Sequence, residues 1–351
     1  MREIFGSTRS PYYVYAPRWL DTSAGIRALH YLCHALNQNG EDAYIASSEP
    51  FSRTTSRVSG LLHTPLLTNE ILASHKASGR LPITIYAETV LGNPLNAGLV
   101  VRLLLNYSGA LGGQQIFQKN EKVWAFSQAI ASDYELRSGT KVAGKIFIPP
   151  IDPREFNSSP DKDDFQLVYA GKYRDFVGEP FNVGELPSIE IFRDGPRKQS
   201  RKEVISLLAR AKVLYSFENS SIVTEAILSG TPAVFVPNEF LGQIIGEDEL
   251  GAAGVATDLS KESLASAAAS VNLGREQYLK RVSEFGDSIT KFRDATQAWS
   301  KQEELSNETI YPTYSKSKII ASKWRSAVLY AKRNGIGSLA KEAFSYVKKL
   351  I

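Results

Sequence analysis

The sequence predicts an α/β protein of two doubly wound domains. Three observations carry this: strand-like and helix-like segments alternate, a proline-rich break interrupts them near the middle, and the alternation then restarts. In the first half, YYVYAP (12–17) is a short apolar run, and in the DTSAGIRALHYLCHALNQNG that follows it Ile26, Leu29, Leu32, Cys33 and Leu36 recur at helical spacing. Thr22 or Ser23 can cap that helix and Gly40 closes it. DAYIAS (42–47) reads as a strand, TNEILASHKASG as a helix, PITIYAE (82–88) as a strand and NPLNAGLVVRLLLNYSG as a further helix. KVWAFS (122–127), the helical QAIASDYELRSG and the strand KIFIPP (145–150) complete this half. Strands separated by helix-length segments imply parallel pairing through right-handed crossovers.

The break, PPIDPREFNSSPDKDD (149–164), has no apolar period and reads as a linker. After it come the strands FQLVYAG (165–171) and SIEIFRDG (188–195) and the helix SRKEVISLLARA, where Ser200 and Glu203 have capping-box spacing. The strand KVLYSFE, the helix SSIVTEAILSG, the strand TPAVFVPN and the helix KESLASAAASVN (261–272) follow. The expected organisation is therefore a domain over 1–148, a linker over 149–164, a second domain over 165–310 and a tail over 311–351.

Composition narrows the class. With 351 residues, 43% hydrophobic and 22% charged, the chain suits two soluble domains, and Cys33 as the sole cysteine excludes internal disulfides and a cysteine-rich metal site. No run approaches the roughly 20 apolar residues of a membrane span, and the N-terminus lacks a signal-type apolar segment, so a cytoplasmic protein is expected. Charge is uneven: residues 315–351 hold nine Lys or Arg against Glu342, a net +8, which leaves −4 on the preceding residues of a chain of net +4. Two amphipathic stripes lie in that basic tail, Ile320, Trp324, Ala327, Val328 and Ala331, then Ile336, Leu339, Ala343, Phe344 and Val347. They suit either an anionic membrane surface or packing against the first domain.

Open parallel sheets bind ligands at the carboxyl ends of their strands. In the second half those ends carry Lys172 and Arg174, then Arg193, Arg197 and Lys198, cations suited to a diphosphate or to solvent. They also carry SFENSSIVTEAILSG, in which Glu218 and Glu225 bracket a polar turn. Asn219, Ser220 and Ser221 fit helix capping, and Glu225 reads either as a solvated residue near the positive end of the helix or as an acceptor for vicinal ribose hydroxyls. In the first half, Asp21 and Glu88 follow strands and are the carboxylates placed to act as a general base, against capping and loop-structuring roles. Gly25 opens the first helix to close approach by a phosphate. His30 and His34 sit one helical turn apart with no third ligand at metal spacing, which favours packing.

SFENSSIVTEAILSGTPAVF resembles the nucleotide-sugar motif of GT-B glycosyltransferases, in which two glutamates flank a polar loop before a small-residue helix and a G-x-P turn. The layout of nearly the whole chain and the D-x-x-A-G-I-R start of the first long helix agree with it. The variant YSFENSSIVTEAILSG, together with YAETVLGNPLNAGLVVRLLLN (86–106), is more similar to bacterial surface-polysaccharide enzymes, rhamnosyltransferases included. The resemblance implies two Rossmann-like domains facing across a cleft, Glu225 on the donor ribose, and Glu218 near the transferred sugar or its phosphates. Asn219 to Thr224 gives six residues between the glutamates where the family usually has seven, which puts the role of Glu218 in doubt. It further implies a nucleotide-sugar partner, a glycan or lipid-linked glycan acceptor, no metal and no separate cofactor. A sugar-nucleotide epimerase on the same plan is the alternative. A nucleic-acid-binding protein acting through the tail ranks last, because the body is acidic and the basic residues lack interleaved aromatics.

Overall fold

The computed structural model describes residues 8–49, 59–159, 161–171, 173–174, 183–193, 195–239, 241–304 and 310–334. Two parallel sheets organise the chain, and it divides into two units: Met1–Ile148 with Phe285–Ile351, and Pro149–Glu284. This is the doubly wound α/β architecture that the sequence predicts, with a helical C-terminal region.

The first unit is built on strands β1 (Tyr12–Ala16), β2 (Ala43–Ser47), β3 (Ile83–Ala87), β4 (Leu99–Leu104), β5 (Lys122–Ala125) and β6 (Gly144–Lys145), in the order β2-β1-β3-β4-β5-β6. All neighbours are parallel, and in register Val14 lies between Ile45 and Ile85. Helix α1 (Ala24–Gln38) packs its buried Ala28, Leu29, Leu32, Cys33 and Leu36 on this sheet, with Ser23 as its cap. Helices α2 (Asn69–Ala77) and α3 (Gln128–Ser138) follow the same pattern of Thr68 and Ser127 caps.

One expectation is overturned here. NPLNAGLVVRLLLNYSG is not a helix, because its centre is β4, six consecutive buried residues in the middle of the sheet. A strand covered on both faces has no period of two and reads like a buried helix. Gly98 sets its start, since a Cβ there would lie 2.7 Å from the Ile310 carbonyl oxygen. Asn93 shapes the preceding turn by bonding both the amide and the carbonyl of Ala97 at 2.8 Å.

The second unit holds β7 (Gln166–Tyr169), β8 (Ser188–Glu190), β9 (Leu214–Ser216), β10 (Ala233–Phe235) and β11 (Val255–Ala256), in the order β11-β10-β9-β7-β8, again all parallel. Its helices are α4 (Arg201–Arg210), α5 (Ile222–Leu228), α6 (Glu247–Leu250) and α7 (Lys261–Ser283). The capping box forms: Ser200 Oγ accepts from the Glu203 amide at 3.2 Å and Glu203 accepts from the Ser200 amide at 2.7 Å. Helix α7 continues past the expected 272 to Ser283, because Tyr278 is buried and its hydroxyl clasps both the amide and the carbonyl of Ile151, at 3.1 and 2.8 Å. The same clasp, with Phe156 buried nearby in sequence, packs part of the expected linker 149–164 into the second unit.

The second domain was expected to reach 310, but its unit ends at Glu284. Helix α8 (Phe285–Glu304) belongs to the first unit. There Phe292 meets Trp124 edge-on at 4.8 Å, Tyr12 Oη bonds Thr296 Oγ1 at 2.8 Å, and Gln297 donates to the Ser10 carbonyl at 2.8 Å. Full burial of Phe292 alone is worth about 1.5–3 kcal/mol, which explains the return. Helix α9 (Lys316–Asn334) buries Ile319 with Tyr13, Tyr15 and Tyr86 of the same unit. In the tail's first expected stripe, Trp324 is 53% exposed instead. The second stripe, from Ile336, lies outside the described residues.

Candidate functional site

Each strand order reverses direction once, between β1 and β3 in the first unit and between β7 and β9 in the second. At such points the flanking loops part and leave a crevice at the carboxyl ends.

In the second unit, β7 ends at Tyr169 and the chain turns through Gly171 in the left-handed region, φ +54°. A Cβ at Gly171 would lie 2.3 Å from Glu218 Cδ, so glycine is required both by the turn and by the carboxyl group pressed on it. The Tyr169 hydroxyl bonds the side chains of Ser220 and Glu218, and burial pushes its pKa above the usual phenol range. Ser216 Oγ donates to the Glu218 carbonyl at 2.9 Å, and Tyr173 stacks on Phe217 at 5.0 Å. Glu218 is thus brought beside Tyr169 at the carboxyl end of β7.

Of three polar residues expected as caps, Asn219 and Ser220 do other work and Ser221 makes no cap bond. Ser221 precedes α5 in helical conformation with no side-chain cap bond. Asn219 instead holds the following loop, donating to Leu241 and Gln243 carbonyls at 2.6 and 3.1 Å and accepting from the Ile245 amide at 3.0 Å. Ser220 serves Tyr169. At the start of α5 a tight turn uses its own backbone, the Val223 amide bonding the Ser220 carbonyl at 3.2 Å, which takes an amide that a cap would otherwise satisfy.

Glu225 is not a solvated helix residue. It is fully buried, with Oε2 2.7 Å from Arg193 Nη2 and Oε1 3.5 Å from Arg201 Nη1. Arg201 also binds Glu155, through Nε at 2.7 Å and Nη2 at 2.5 Å, and lies over Phe156. Burial works against the Arg201 charge, but Glu225 and Glu155 outweigh it and raise its pKa. Arg193 stands 5.7 Å from the Tyr169 ring, which connects this ion cluster to the crevice. Arg174, expected on a phosphate, is paired with Glu190 and lies over Phe192, as does Arg197. Lys172 lies outside the described residues. Arg201 and Tyr169 went unnoticed in the sequence: Arg201 reads as an ordinary first-turn helix residue and Tyr169 as a strand end. The cation run FRDGPRK held the only signal for Arg193.

In the first unit Glu88 follows β3 at the β1/β3 reversal. Its carboxylate is buried and accepts the Leu105 amide at 2.9 Å. Burial raises its pKa to about 7, against amide bonds from Leu105, itself and Asn106 that favour the ion, and no neighbouring charge is among the causes. Gly113, φ +75°, allows the opposing loop to close on it, since a Cβ there would lie 2.0 Å from the Glu88 carbonyl oxygen. Arg102, fully buried between Tyr86 and Phe117, binds the Val90 and Gly92 carbonyls at 2.9 and 2.6 Å and fixes the loop that Glu88 begins. Asp21 is exposed; Ser23 caps α1 in its place, and the Asp21 carbonyl accepts from Arg27 at 2.5 Å. Gly25 in the first turn of α1 has Leu105 Cδ1 3.9 Å from an added Cβ. His30 bonds the Pro17 carbonyl at 3.0 Å and His34 accepts the His63 amide at 2.9 Å, so each imidazole is engaged in packing.

No family model matches the chain, and no curated protein does. Solved structures similar to it include a DNA-modifying β-glucosyltransferase studied with uridine diphosphoglucose: 10% identity, 82% of this chain, 99% of that one, TM-score 0.48. WaaG, a glycosyltransferase involved in lipopolysaccharide biosynthesis, aligns at 12% identity over 81% of this chain and 98% of its own, TM-score 0.43. A putative UDP-N-acetylglucosamine 2-epimerase from Listeria monocytogenes aligns at 12% identity over 86% and 100%, TM-score 0.40. At these identities and scores, the assignment of function rests on the chain's own residues.

Proposed function

We propose that this protein is a glycosyltransferase that moves a sugar from a nucleotide-sugar donor to a hydroxyl acceptor. One observation carries the reading: the two units have separate strand-reversal crevices of opposite chemistry. One begins with a buried carboxyl group whose pKa is about 7; the other joins a tyrosine and a glutamate to an arginine-bearing ion cluster. A base poised near neutral pH suits removal of a proton from an acceptor hydroxyl, and guanidinium groups suit a departing diphosphate. In this reading Glu88 takes the acceptor proton as the hydroxyl oxygen attacks the anomeric carbon. The bond to the diphosphate oxygen breaks and the nucleoside diphosphate leaves on the second unit. Transfer with inversion follows from a single displacement of this kind. Asp21 sits exposed near the same reversal and ranks behind Glu88 as the base.

Glu218 and Ser220 beside Tyr169, with Gly171 allowing close approach, fit the sugar and phosphates, and Glu225 fits the nucleoside. Gly25 at the start of α1 fits the phosphate side of the acceptor unit. The chemistry asks for no metal or further cofactor, because side-chain cations and backbone amides supply the electrostatic assistance. A bacterial surface glycan, lipid-linked during assembly, is the acceptor class that best suits the basic tail, and a cytoplasmic enzyme peripheral to the membrane is the corresponding location. Supporting this, α9 exposes Trp324 together with Lys318 and Arg325, and cations near an anionic leaflet contribute about 1 kcal/mol each. No described helix is long and apolar enough to cross a membrane.

The test is incubation of the protein with UDP-, GDP-, ADP- and dTDP-linked sugars, with and without glycan acceptors, and separation of the products. Release of one nucleoside diphosphate with the sugar on the acceptor or on water is expected. A nucleotide sugar recovered with its diphosphate bond intact and its sugar isomerised would replace this reading by an epimerase.

A further inference from the structure

Glu88 begins a loop whose backbone is held from outside at three successive residues. The Val90 carbonyl accepts from Arg102 Nη1 at 2.9 Å, the Leu91 carbonyl from Ser322 Oγ at 2.6 Å and the Gly92 carbonyl from Arg102 Nη2 at 2.6 Å. A surface turn needs no such holding, because water satisfies its carbonyls. We propose that Arg102 and Glu121 are positioning residues for Glu88: their buried ion pair ties the loop that carries the carboxyl group to the loop that gives it an amide, and so sets where the acceptor base lies and how far water is kept from it. The proposal rests on the reading of Glu88 as the base.

Arg102 lies in the middle of β4 with no exposed surface, its guanidinium 5.0 Å from the ring centres of both Tyr86 and Phe117. Its Nε and Nη2 meet the two Glu121 carboxylate oxygens at 3.1 and 2.7 Å, while Nη1 and Nη2 also reach the carbonyls of the Glu88 loop. Glu121 in turn accepts the Gln118 amide at 3.2 Å, which secures the end of the loop that follows β4. That second loop surrounds Glu88 from the other side. It supplies the Leu105 amide, 2.9 Å from Glu88 Oε2, brings Gly113 against the Glu88 carbonyl, and accepts the Gly92 amide on Gln114 Oε1 at 2.9 Å. Both loops that touch Glu88 are therefore joined through one guanidinium.

Stability does not account for the pair. Two apolar side chains of similar volume in its place are often as stable or more so, because both ions have to be taken out of water. An apolar pair, however, cannot bond two carbonyls of a loop, and an ammonium group lacks the planar fork that fixes their spacing. A base misplaced by about 1 Å loses about a hundredfold in rate, so this spacing bears directly on proton removal. It also bears on acidity: burial holds the Glu88 pKa at about 7, and a loosened loop that admits water lowers it. The pair acts through position and not through its field. Its two charges cancel, Arg137 of α3 is likewise paired with Asp133, and no charged side chain is among the causes of the Glu88 shift.

The experiment is a pH titration of the Glu88 carboxyl carbon by ¹³C NMR in the full chain, the signal being the one absent from Glu88→Gln, with rates of nucleoside diphosphate release measured alongside. The proteins are wild type, the double variant Arg102→Met with Glu121→Leu, Arg102→Lys and Ser322→Ala. In the double variant, which leaves no ion without its partner, the midpoint is expected to fall from about 7 by about one pH unit or more, and kcat by about tenfold to a hundredfold at an unchanged donor KM. Arg102→Lys keeps the charge without the fork; it is expected to fall between the two, and it carries the same comparison if the double variant does not fold. Ser322→Ala removes a single hold and is expected to move the midpoint least. A midpoint unmoved in a folded Arg102 variant, whatever its stability, would overturn the positioning role. If the midpoint moves as expected while Glu88→Gln transfers sugar at the wild-type rate, the reading of Glu88 as the base falls and the hold of the pair on its carboxyl group is upheld.

Discussion

Glu88 in the first unit and Glu225 in the second are both withdrawn from water, and their surroundings keep them in opposite ways. Glu88 is met by backbone amides, and burial dominates its titration, so its charge changes near neutral pH. Glu225 is met by two guanidinium groups that are themselves tied to Glu155 and to the Tyr169 ring. Burial by itself does not decide what a carboxylate does; the charge state of its partners does. Glu88 keeps dipoles around it and titrates near neutral pH, whereas Glu225 is one member of an ion cluster that fixes where its oxygens lie.

The sharpest way to break this comparison is Glu88→Gln. If Glu88 is the base, the variant loses about 10²–10⁴-fold in transfer rate at saturating donor, read as initial rate of nucleoside diphosphate release. The wild-type rate is expected to rise with pH up to about 7 and level off, and the variant to lose that limb. An unchanged rate would leave Glu88 with only its loop contacts. Next in size is Glu225→Ala, which takes a buried carboxylate from Arg193 and leaves Arg201 to Glu155, and is expected to cost about 3 kcal/mol in urea-induced unfolding. A cost under about 1 kcal/mol would mean that the ion cluster contributes little.

A third measurement reads Glu88 by linkage. The folded pKa of Glu88 is raised from 4.5 to about 7, so the folded state holds its proton more tightly than the unfolded state does. Its contribution is therefore full below pH 4.5 and is lost as pH rises to about 7, a fall of about 3 kcal/mol relative to Glu88→Gln. Urea titrations of both proteins across that window check it, and parallel curves would refute it. The smallest effect is expected from Ser200→Ala, about 1 kcal/mol of stability from loss of the capping box, with nucleotide affinity changed only slightly because Arg201 keeps Glu155. A large loss of affinity would mean that the cap, and not Glu155, positions Arg201.

Much of the architecture could be read from local pattern. The strand and helix alternation, the break at 149, the Ser23, Thr68 and Ser127 caps and the Ser200 capping box are all short-range features, and each has its local cause in the structure. β4 was read as a helix because a doubly covered strand hides its period. The return of α8 was not visible because an amphipathic stripe says that a helix packs, not on which sheet. At the site, Glu218 and Glu225 were legible from spacing and from a family resemblance. Their partners were not: Arg193 reaches Glu225 across 32 residues of sequence, and only the parallel sheet brings the two together. Asn219 and Ser220 have cap chemistry, and tertiary contacts redirected it.

The route of α8 also sets an order of assembly. The second unit is one continuous stretch, Pro149–Glu284, whereas the first is made from both sides of it. A nascent chain that has emerged as far as Glu284 already contains every strand of both sheets, but its first sheet still lacks Phe292, Thr296 and Gln297, the residues that cover Trp124, Tyr12 and Ser10. The later-made unit is therefore the first able to finish folding, and the earlier-made one waits with an apolar face open until α8 has left the ribosome.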